Sequence, residues 1–307
     1  PNTLRKVPWA REPTAQIIAD CYKASGEPHP LASRNVLKHI IKLYAEAGLR
    51  AEVAPEVEFF LVHKNTDPDY ELMPPKGRSG RREVARMSFS IDAVAEFEDF
   101  VEDMYDFADE QALSVDTLIH ENGAAQLEIN FNHGDPLDMA DQVFVFKRTV
   151  RETAQRHNMY ATFMAKPMQK EPGSALHIHQ SILSLATGDN IFNGADDQPT
   201  PELMHYIAGL QRYTPDLISF YAPNVNSYRR LAPDISAPIN LSWGYDNRTT
   251  AFRVPDSTPI NRRVENRFPG ADANPYLAIA ASLASGLLGL EHKLQPTAPH
   301  QGTANDE

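Results

Sequence analysis

Two short runs of this sequence place metal-type ligands on one side of an extended chain. Glu56 and Glu58 are two residues apart in EVEFF, and His177 and His179 are two apart in HIH. Successive side chains of a strand point to opposite faces, so each pair shares a face. Glu121 and Glu128 flank the glycine-containing stretch ENGAAQLE, and Glu265 lies between Arg263 and Arg267. Carboxylates with imidazole, and no thiolate, favour magnesium or manganese over zinc. Each residue alone is a weak signal, because a single strand glutamate usually faces solvent. The pairing of EVE with HIH is what points to a site.

The second chemical feature is cationic. From Asn247 to Phe268 there are five arginines (Arg248, Arg253, Arg262, Arg263 and Arg267) and no lysine, in an otherwise acidic chain. Arginine offers a planar fork of donors that fits phosphate and carboxylate oxygens. A structural ion-pair network is the bland alternative for such a cluster. Acids for metals beside arginines for phosphates is the inventory of a phosphoryl-transfer site. Two cations clamp a nucleotide's phosphates, and arginines stabilise the equatorial oxygens of the transferring group. Neither G-x-x-x-x-G-K-[ST] nor G-x-G-x-x-G occurs, so the motifs indicate neither a P-loop nor a dinucleotide fold.

The elements that must position these groups follow from the apolar pattern. Val36, Leu37, Ile40, Ile41, Leu43 and Tyr44 have helical spacing over about 33–48, with Gly48 as a stop. Residues 51–62 read as a strand and 67–86 as a loop. A helix is expected over 91–112, a broken strand pair around Gly123 over 117–132, and a helix over 136–157. Strands are expected at 161–164, 174–183, 239–243 and 250–254, with VPWA near the start as a further short strand. Residues 204–218 read as a helix. The apolar run 276–290 is too short and too interrupted by serine to span a membrane, so it reads as a buried helix. The polar end, from Gln295 to Glu307, is expected to fray.

Composition sets outer bounds. The 307 residues, 42% apolar and 23% charged, are enough for a packed core. A net charge of −12 argues against a nucleic-acid partner. The lone Cys21 excludes an intramolecular disulfide, fits a reducing, cytoplasmic setting, and is expected to be a packing residue. No secretory leader pattern opens the sequence.

Together EVEFF, ENGAAQLEIN, KPM followed by GSALHIHQS, NSYRRLAP, DNRTTAFRVP and RRVENRFPGADANPYL resemble the catalytic domain of the glutamine synthetase family. The similarity runs from about Val36 to Leu290. It is nearer the branch of gamma-glutamylpolyamine and gamma-glutamylamide synthetases. The resemblance implies an α+β fold, a curved and mainly antiparallel sheet with the acids on its concave face and helices outside, an architecture like that of the guanidino kinases. It also implies the ligation of glutamate to an amine through gamma-glutamyl phosphate, with ATP and two or more Mg²⁺ or Mn²⁺ ions. The family's first metal site falls on Glu58, Glu121 and Glu128, and its second on Glu56, His177 and Glu265. His179 and Ser181 fall on the nucleotide side, and Arg248, Arg253 and Arg263 face its phosphates. Arg230, Arg267 and Gly173 fall where glutamate is held. Arg230, Arg248 and Glu265 stand nearest the chemistry. A polyamine or small alkylamine, no nucleic acid and no membrane complete the partners, in a homo-oligomeric, dodecamer-like ring.

Three departures qualify the resemblance. Ser236 stands where ammonia-using members carry a flap glutamate, which implies a larger opening for an alkylamine, unless Asp234 does the flap's work. ENGAAQLE has one residue fewer between its acids than the ammonia-using pattern. Pro172 precedes Gly173 where those members often have asparagine. The expected organisation is a lead-in segment (1–32) after an N-terminal domain not in this chain, a C-terminally shortened catalytic domain (33–294) and a polar tail (295–307). An ammonia-using glutamine synthetase and a non-catalytic relative are the competing readings.

Overall fold

The computed structural model describes residues 2–67, 69–194, 197–233 and 237–304. Among these the chain runs β1 (Arg5–Lys6), β2 (Ala15–Gln16), α1 (Ser33–Glu46), β3 (Leu49–His63), α2 (Ile91–Ala95), α3 (Glu98–Glu110), β4 (Val115–His120), β5 (Gln126–Phe131), α4 (Pro136–Arg156), β6 (Met159–Thr162), β7 (Leu176–Ser184), α5 (Pro201–Tyr221), α6 (Val225–Tyr228), β8 (Trp243–Tyr245), β9 (Phe252–Val254), β10 (Val264–Asn266) and α7 (Pro275–Glu291). Eight strands form one sheet in the order β4-β5-β3-β7-β10-β9-β8, with β6 also paired to β3. Among the described strands only β8 and β9 pair in parallel. The α+β class and the mainly antiparallel sheet match expectation.

β3 is the spine. It pairs with β7 from Leu49 to Val57, with β5 from Glu56 to Phe60 and with β6 from Phe60 to His63. The two-residue period sorts its side chains. Val57, Phe59 and Leu61 enter the main core, where the Phe59 ring meets Phe100, Phe146 and Phe163. Phe60 and Val62 belong to a separate cluster with Met168. Glu56 and Glu58 share the Phe60 side by the same alternation. β5 and β7 repeat the pattern, sending Leu127, Ile129 and Phe131, and Leu176, Ile178 and Ile182, to the core. A slip of one residue in any of these strands would exchange acids for core side chains.

Helices cover the core face. α1 and α4 pack on β3, and α7 packs on α1, α4 and α5. α4 starts where Asp135 accepts from the Leu137 and Asp138 amides with Pro136 in the first turn, a cap worth about 1 kcal/mol. Farther along α4, the buried Lys147 donates to the carbonyls of Ala271 and Ala273. It thereby ties down the loop between β10 and α7. α7 is the buried helix its apolar run predicts.

Several expectations are corrected. The helix expected over 91–112 breaks between α2 and α3. There the Glu96 carbonyl accepts from the Arg78 amide and its carboxylate from the Ser79 amide, so the loop before α2 binds the chain at the break. VPWA is not a strand; β1 ends just before it. The strand expected at 239–243 is β8, shifted to Trp243–Tyr245. Cys21 is exposed and does not pack. The tail does not fray over 297–304. His300 donates its amide to the Trp243 carbonyl, Trp243 Nε1 donates to Thr297, and Ala304 is fully buried. Polar composition misled here because the tail's own backbone is held mainly by polar side chains (Trp243 Nε1, Asn240, Asn247 and Thr249), not by apolar packing.

α5 and α7 approach closely through glycine. A Cβ on Gly209 would sit 2.1 Å from the Ser285 carbonyl oxygen and 2.8 Å from the Gly289 backbone. Backbone cannot swing aside as a side chain can, and overpacking costs roughly 1–3 kcal/mol. Gly209→Ala is expected to lower the thermal midpoint by about 2–4 °C for each kcal/mol lost. An unchanged melting curve would contradict the close approach.

Candidate functional site

Strand register carries the site across the sheet. Glu58 on β3 stands opposite Glu128 on β5, and Glu56 opposite His177 on β7. His179 stands opposite Glu265 on β10, and Glu265 opposite Arg253 on β9. Directly opposed residues share a face, so one row of ligand-type side chains crosses four strands. Five of the six expected metal ligands meet in two triplets. Glu56, His177 and Glu265 form one, and Glu58, Glu128 and His177 form the other, each with ligand atoms within 4.8 Å of one another. His177 belongs to both. Its Nδ1 lies 3.4 Å from Glu56 Oε2 and 3.7 Å from Glu265 Oε1. Glu121, just past β4, is in neither triplet, although the charges of Glu56, Arg248 and Arg267 all act on it.

The two triplets differ in charge balance. Burial pushes Glu128 well above the usual carboxylate range, and Glu56, Glu58 and Glu121 push it further. Burial likewise raises Glu58, more than His177 lowers it. Burial would raise the half-buried Glu56, yet His179 and His177 bring it well below the usual range. Glu265 is held down at about 2, because Arg267 and the two histidines outweigh its burial. So the His177–Glu265 side is already compensated by cations, and the Glu58–Glu128 side is not.

The arginine cluster divides on folding. Arg253 donates from Nη1 to Glu265 Oε2 at 3.0 Å and also pairs with Asp246, while Arg267 donates to Glu265 Oε1. Arg263 Nε donates to His179 Nδ1 at 3.1 Å. Arg262 turns away to Asn193 Oδ1 and the Asp197 carbonyl, the bland outcome for a charge cluster. Arg248 is exposed on the turn after β8. Arg230 is buried and donates to the carbonyls of Phe268 and Arg267; burial lowers its guanidinium to about 10 despite Glu58. Gly173 lies against Arg230, whose Cγ would be 2.6 Å from an added Cβ.

A cleft of about 1200 Å³ opens beside the triplets. Glu56, His179 and Arg263 line it, together with Ser181, Asn190 and Thr258 among others. Ser181 hydroxyl donates to the Arg262 carbonyl. Ser236 and Asp234, the flap positions, lie outside the described residues.

Sequence reasoning missed Gln126. It is buried, and its Nε2 donates to Glu58 Oε2 at 3.2 Å and to the Gly173 carbonyl at 2.9 Å. It stands two residues before Glu128 on the same face of β5, and that spacing was the available signal.

The model of the family described as glutamine synthetase, catalytic domain, matches residues 30–306. The chain belongs to the glutamine synthetase family. Among its relatives are a glutamine synthetase of Pyrococcus abyssi, 37% identical over 97% of this chain and 64% of the relative. The gamma-glutamylputrescine synthetase PuuA of Escherichia coli K12 is 37% identical over 94% of this chain and 61% of its own length. A glutamate–isopropylamine ligase of a Pseudomonas species is 36% identical over 99% and 66%. The solved structure of apo GmaS without ligand superposes with a TM-score of 0.83 at 30% identity, covering 98% of this chain and 67% of that one. The chain thus spans under two thirds of the length of these curated glutamine synthetase family relatives.

The donor set fits divalent cations. His177 Nε2 is buried and, among the described residues, has no hydrogen-bond partner. Glu58 and Glu128 crowd like charge in a buried place, which a cation would neutralise. A carboxyl raised in the fold binds its proton more tightly folded than unfolded. Its contribution to stability therefore falls as pH rises above the ordinary carboxylate value. Glu128→Gln is expected to stabilise the metal-free protein at neutral pH in EDTA. It is also expected to weaken Mn²⁺ binding by about ten-fold or more, read by thermal melting and manganese EPR. A variant less stable than the parent in EDTA would contradict this account of crowded charge.

Proposed function

We propose that the protein takes part in ATP-dependent ligation of glutamate's gamma-carboxylate to an amine, with a polyamine or small alkylamine as the nucleophile. One observation carries this reading: two carboxylate–histidine triplets share His177 on one sheet face, next to Arg253, Arg263 and Arg267. The names of PuuA, a gamma-glutamylputrescine synthetase, and of the glutamate–isopropylamine ligase support the choice of amine. The Pyrococcus abyssi relative keeps ammonia as the alternative nucleophile. Retention of all six ligand-type side chains argues against a non-catalytic relative.

The chemistry follows from the poor electrophilicity of a carboxylate. A glutamate gamma-carboxylate oxygen attacks the terminal phosphorus of ATP and ADP leaves. The amine nitrogen then attacks the acyl carbon, phosphate leaves, and the nitrogen loses a proton. Bound Mg²⁺ or Mn²⁺ supplies charge neutralisation at the phosphoryl oxygens. Glu56, His177 and Glu265 would hold one ion, and Glu58, Glu128 and Glu121 another. Arg248, Arg253 and Arg263 offer donors to the phosphates. Arg267, Arg230 and the Gly173 backbone hold glutamate, and His179 and Ser181 line the nucleotide side. A homo-oligomeric ring belongs to the same reading. No helix among the described residues is long and apolar enough to cross a membrane.

Phosphate release measured with ATP, glutamate and a panel of amines tests the proposal. Alkylamine or diamine is expected to exceed ammonia, and a strong preference for ammonia would overturn the amine assignment. Glu265→Ala is expected to abolish Mg²⁺-dependent turnover with far-ultraviolet circular dichroism unchanged; near-normal turnover would remove Glu265 from the site. Ser236→Glu is expected to shift the amine-to-ammonia rate ratio toward ammonia, and an unchanged ratio would count against a flap at that position.

A further inference from the structure

We propose that Glu83 and His120 are positioning residues that hold the turn between Glu121 and Glu128 in its metal-facing shape; the inference rests on the metal site proposed above. The turn 121–126 exposes three successive amides. Gly123 donates to Gln126 Oε1 at 2.8 Å, Ala124 to Glu171 Oε2 at 3.1 Å and Ala125 to Glu83 Oε2 at 2.6 Å. Consecutive N–H groups of this kind form a concavity that favours anions. Here two carboxylates of the same chain fill it. Ala125 has a φ of +56°, a left-handed conformation that a residue with a Cβ adopts only when its surroundings impose it.

Glu83 grips the turn from its other end as well. His120 is fully buried, with Nε2 3.0 Å from the same Glu83 Oε2 and Nδ1 2.8 Å from the Glu121 carbonyl oxygen. A carbonyl only accepts, so Nδ1 carries the hydrogen and donates. The Glu121 amide donates in turn to the Gln126 carbonyl at 2.8 Å. Both backbone polar groups of Glu121 are therefore fixed, and Glu83 Oε2 reaches both flanks of the turn. The loop before α2 adds the Phe89 amide, which donates to the His120 carbonyl, and the Ser88 hydroxyl, which donates to Asn122 Oδ1. Without Glu83, the Ala125 amide and His120 Nε2 would be buried with nothing to pair with. The turn would relax, and the carboxylates at its two ends would lose their shared aim.

Mn²⁺ titration followed by EPR on the purified protein, with a thermal melt on the same samples, tests this without any assay of turnover. Glu83→Ala is expected to lose about ten-fold in Mn²⁺ affinity, the usual effect of removing a group that orients a ligand. Glu83→Gln keeps an oxygen acceptor for the Ala125 amide, but the same atom cannot also offer an N–H to His120 Nε2, so it is expected to restore only part of the loss. Glu98→Ala breaks only the surface pair with Arg78 in the same region and is expected to bind as the parent does. Parent-like affinity in folded Glu83→Ala overturns the proposal. If that variant does not fold, Glu83→Asp, which keeps the charge but shortens the reach, replaces it, and parent-like affinity there is equally decisive. A parent that binds no Mn²⁺ overturns the metal site itself and this inference with it.

Discussion

Antiparallel register around β3 is the constraint on which the rest of the structure depends. It opposes Glu58 to Glu128 and Glu56 to His177, and through β7 and β10 it opposes His179 to Glu265. Like charges placed directly opposite are unfavourable, and burial makes them more so. The sheet holds them because the other face of the same strands buries Val57, Phe59, Leu127, Ile129, Leu176 and Ile178. Apolar burial at roughly 25 cal/mol per Å² fixes the register. The charged face takes the arrangement that register gives it.

The charge on that face is graded. At the β10 end, Arg253 and Arg267 neutralise Glu265, and His179 Nε2 hydrogen-bonds Glu56. At the β5 end, Glu128 faces Glu58 with no cation of its own, and its carboxyl is raised well above the usual range. A cation entering the site gains most where compensation is least. The compensated end has arginine donors left over for an anion, as Arg263 on the cleft wall illustrates. Cation-type and anion-type donors sit side by side because one sheet row runs from acids to arginines.

Backbone anchoring supports this row from outside. Lys147 holds the loop after β10, Gln126 links Glu58 to Gly173, and residues 302–304 grip the Asn247–Thr249 turn that carries Arg248. None of these contacts touches a triplet side chain except through Gln126. Each fixes a backbone from which a site side chain projects.

The sequence by itself determined much of this protein. Period-two spacing placed Glu56 with Glu58 and His177 with His179, helical spacing placed α1, an apolar run placed α7, and motif order indicated the family. It could not determine which strands are neighbours, because pairing between β3, β5, β7 and β10 joins residues far apart in the chain. Only that pairing decided that His177 serves both triplets, that Glu121 stands apart from them, and that Arg262 leaves the cluster its neighbours form. Gln126, Glu83 and the tail escaped notice for a related reason. Their roles lie in hydrogen bonds to backbone, which leave no apolar periodicity and appear only when distant segments come within about 3 Å.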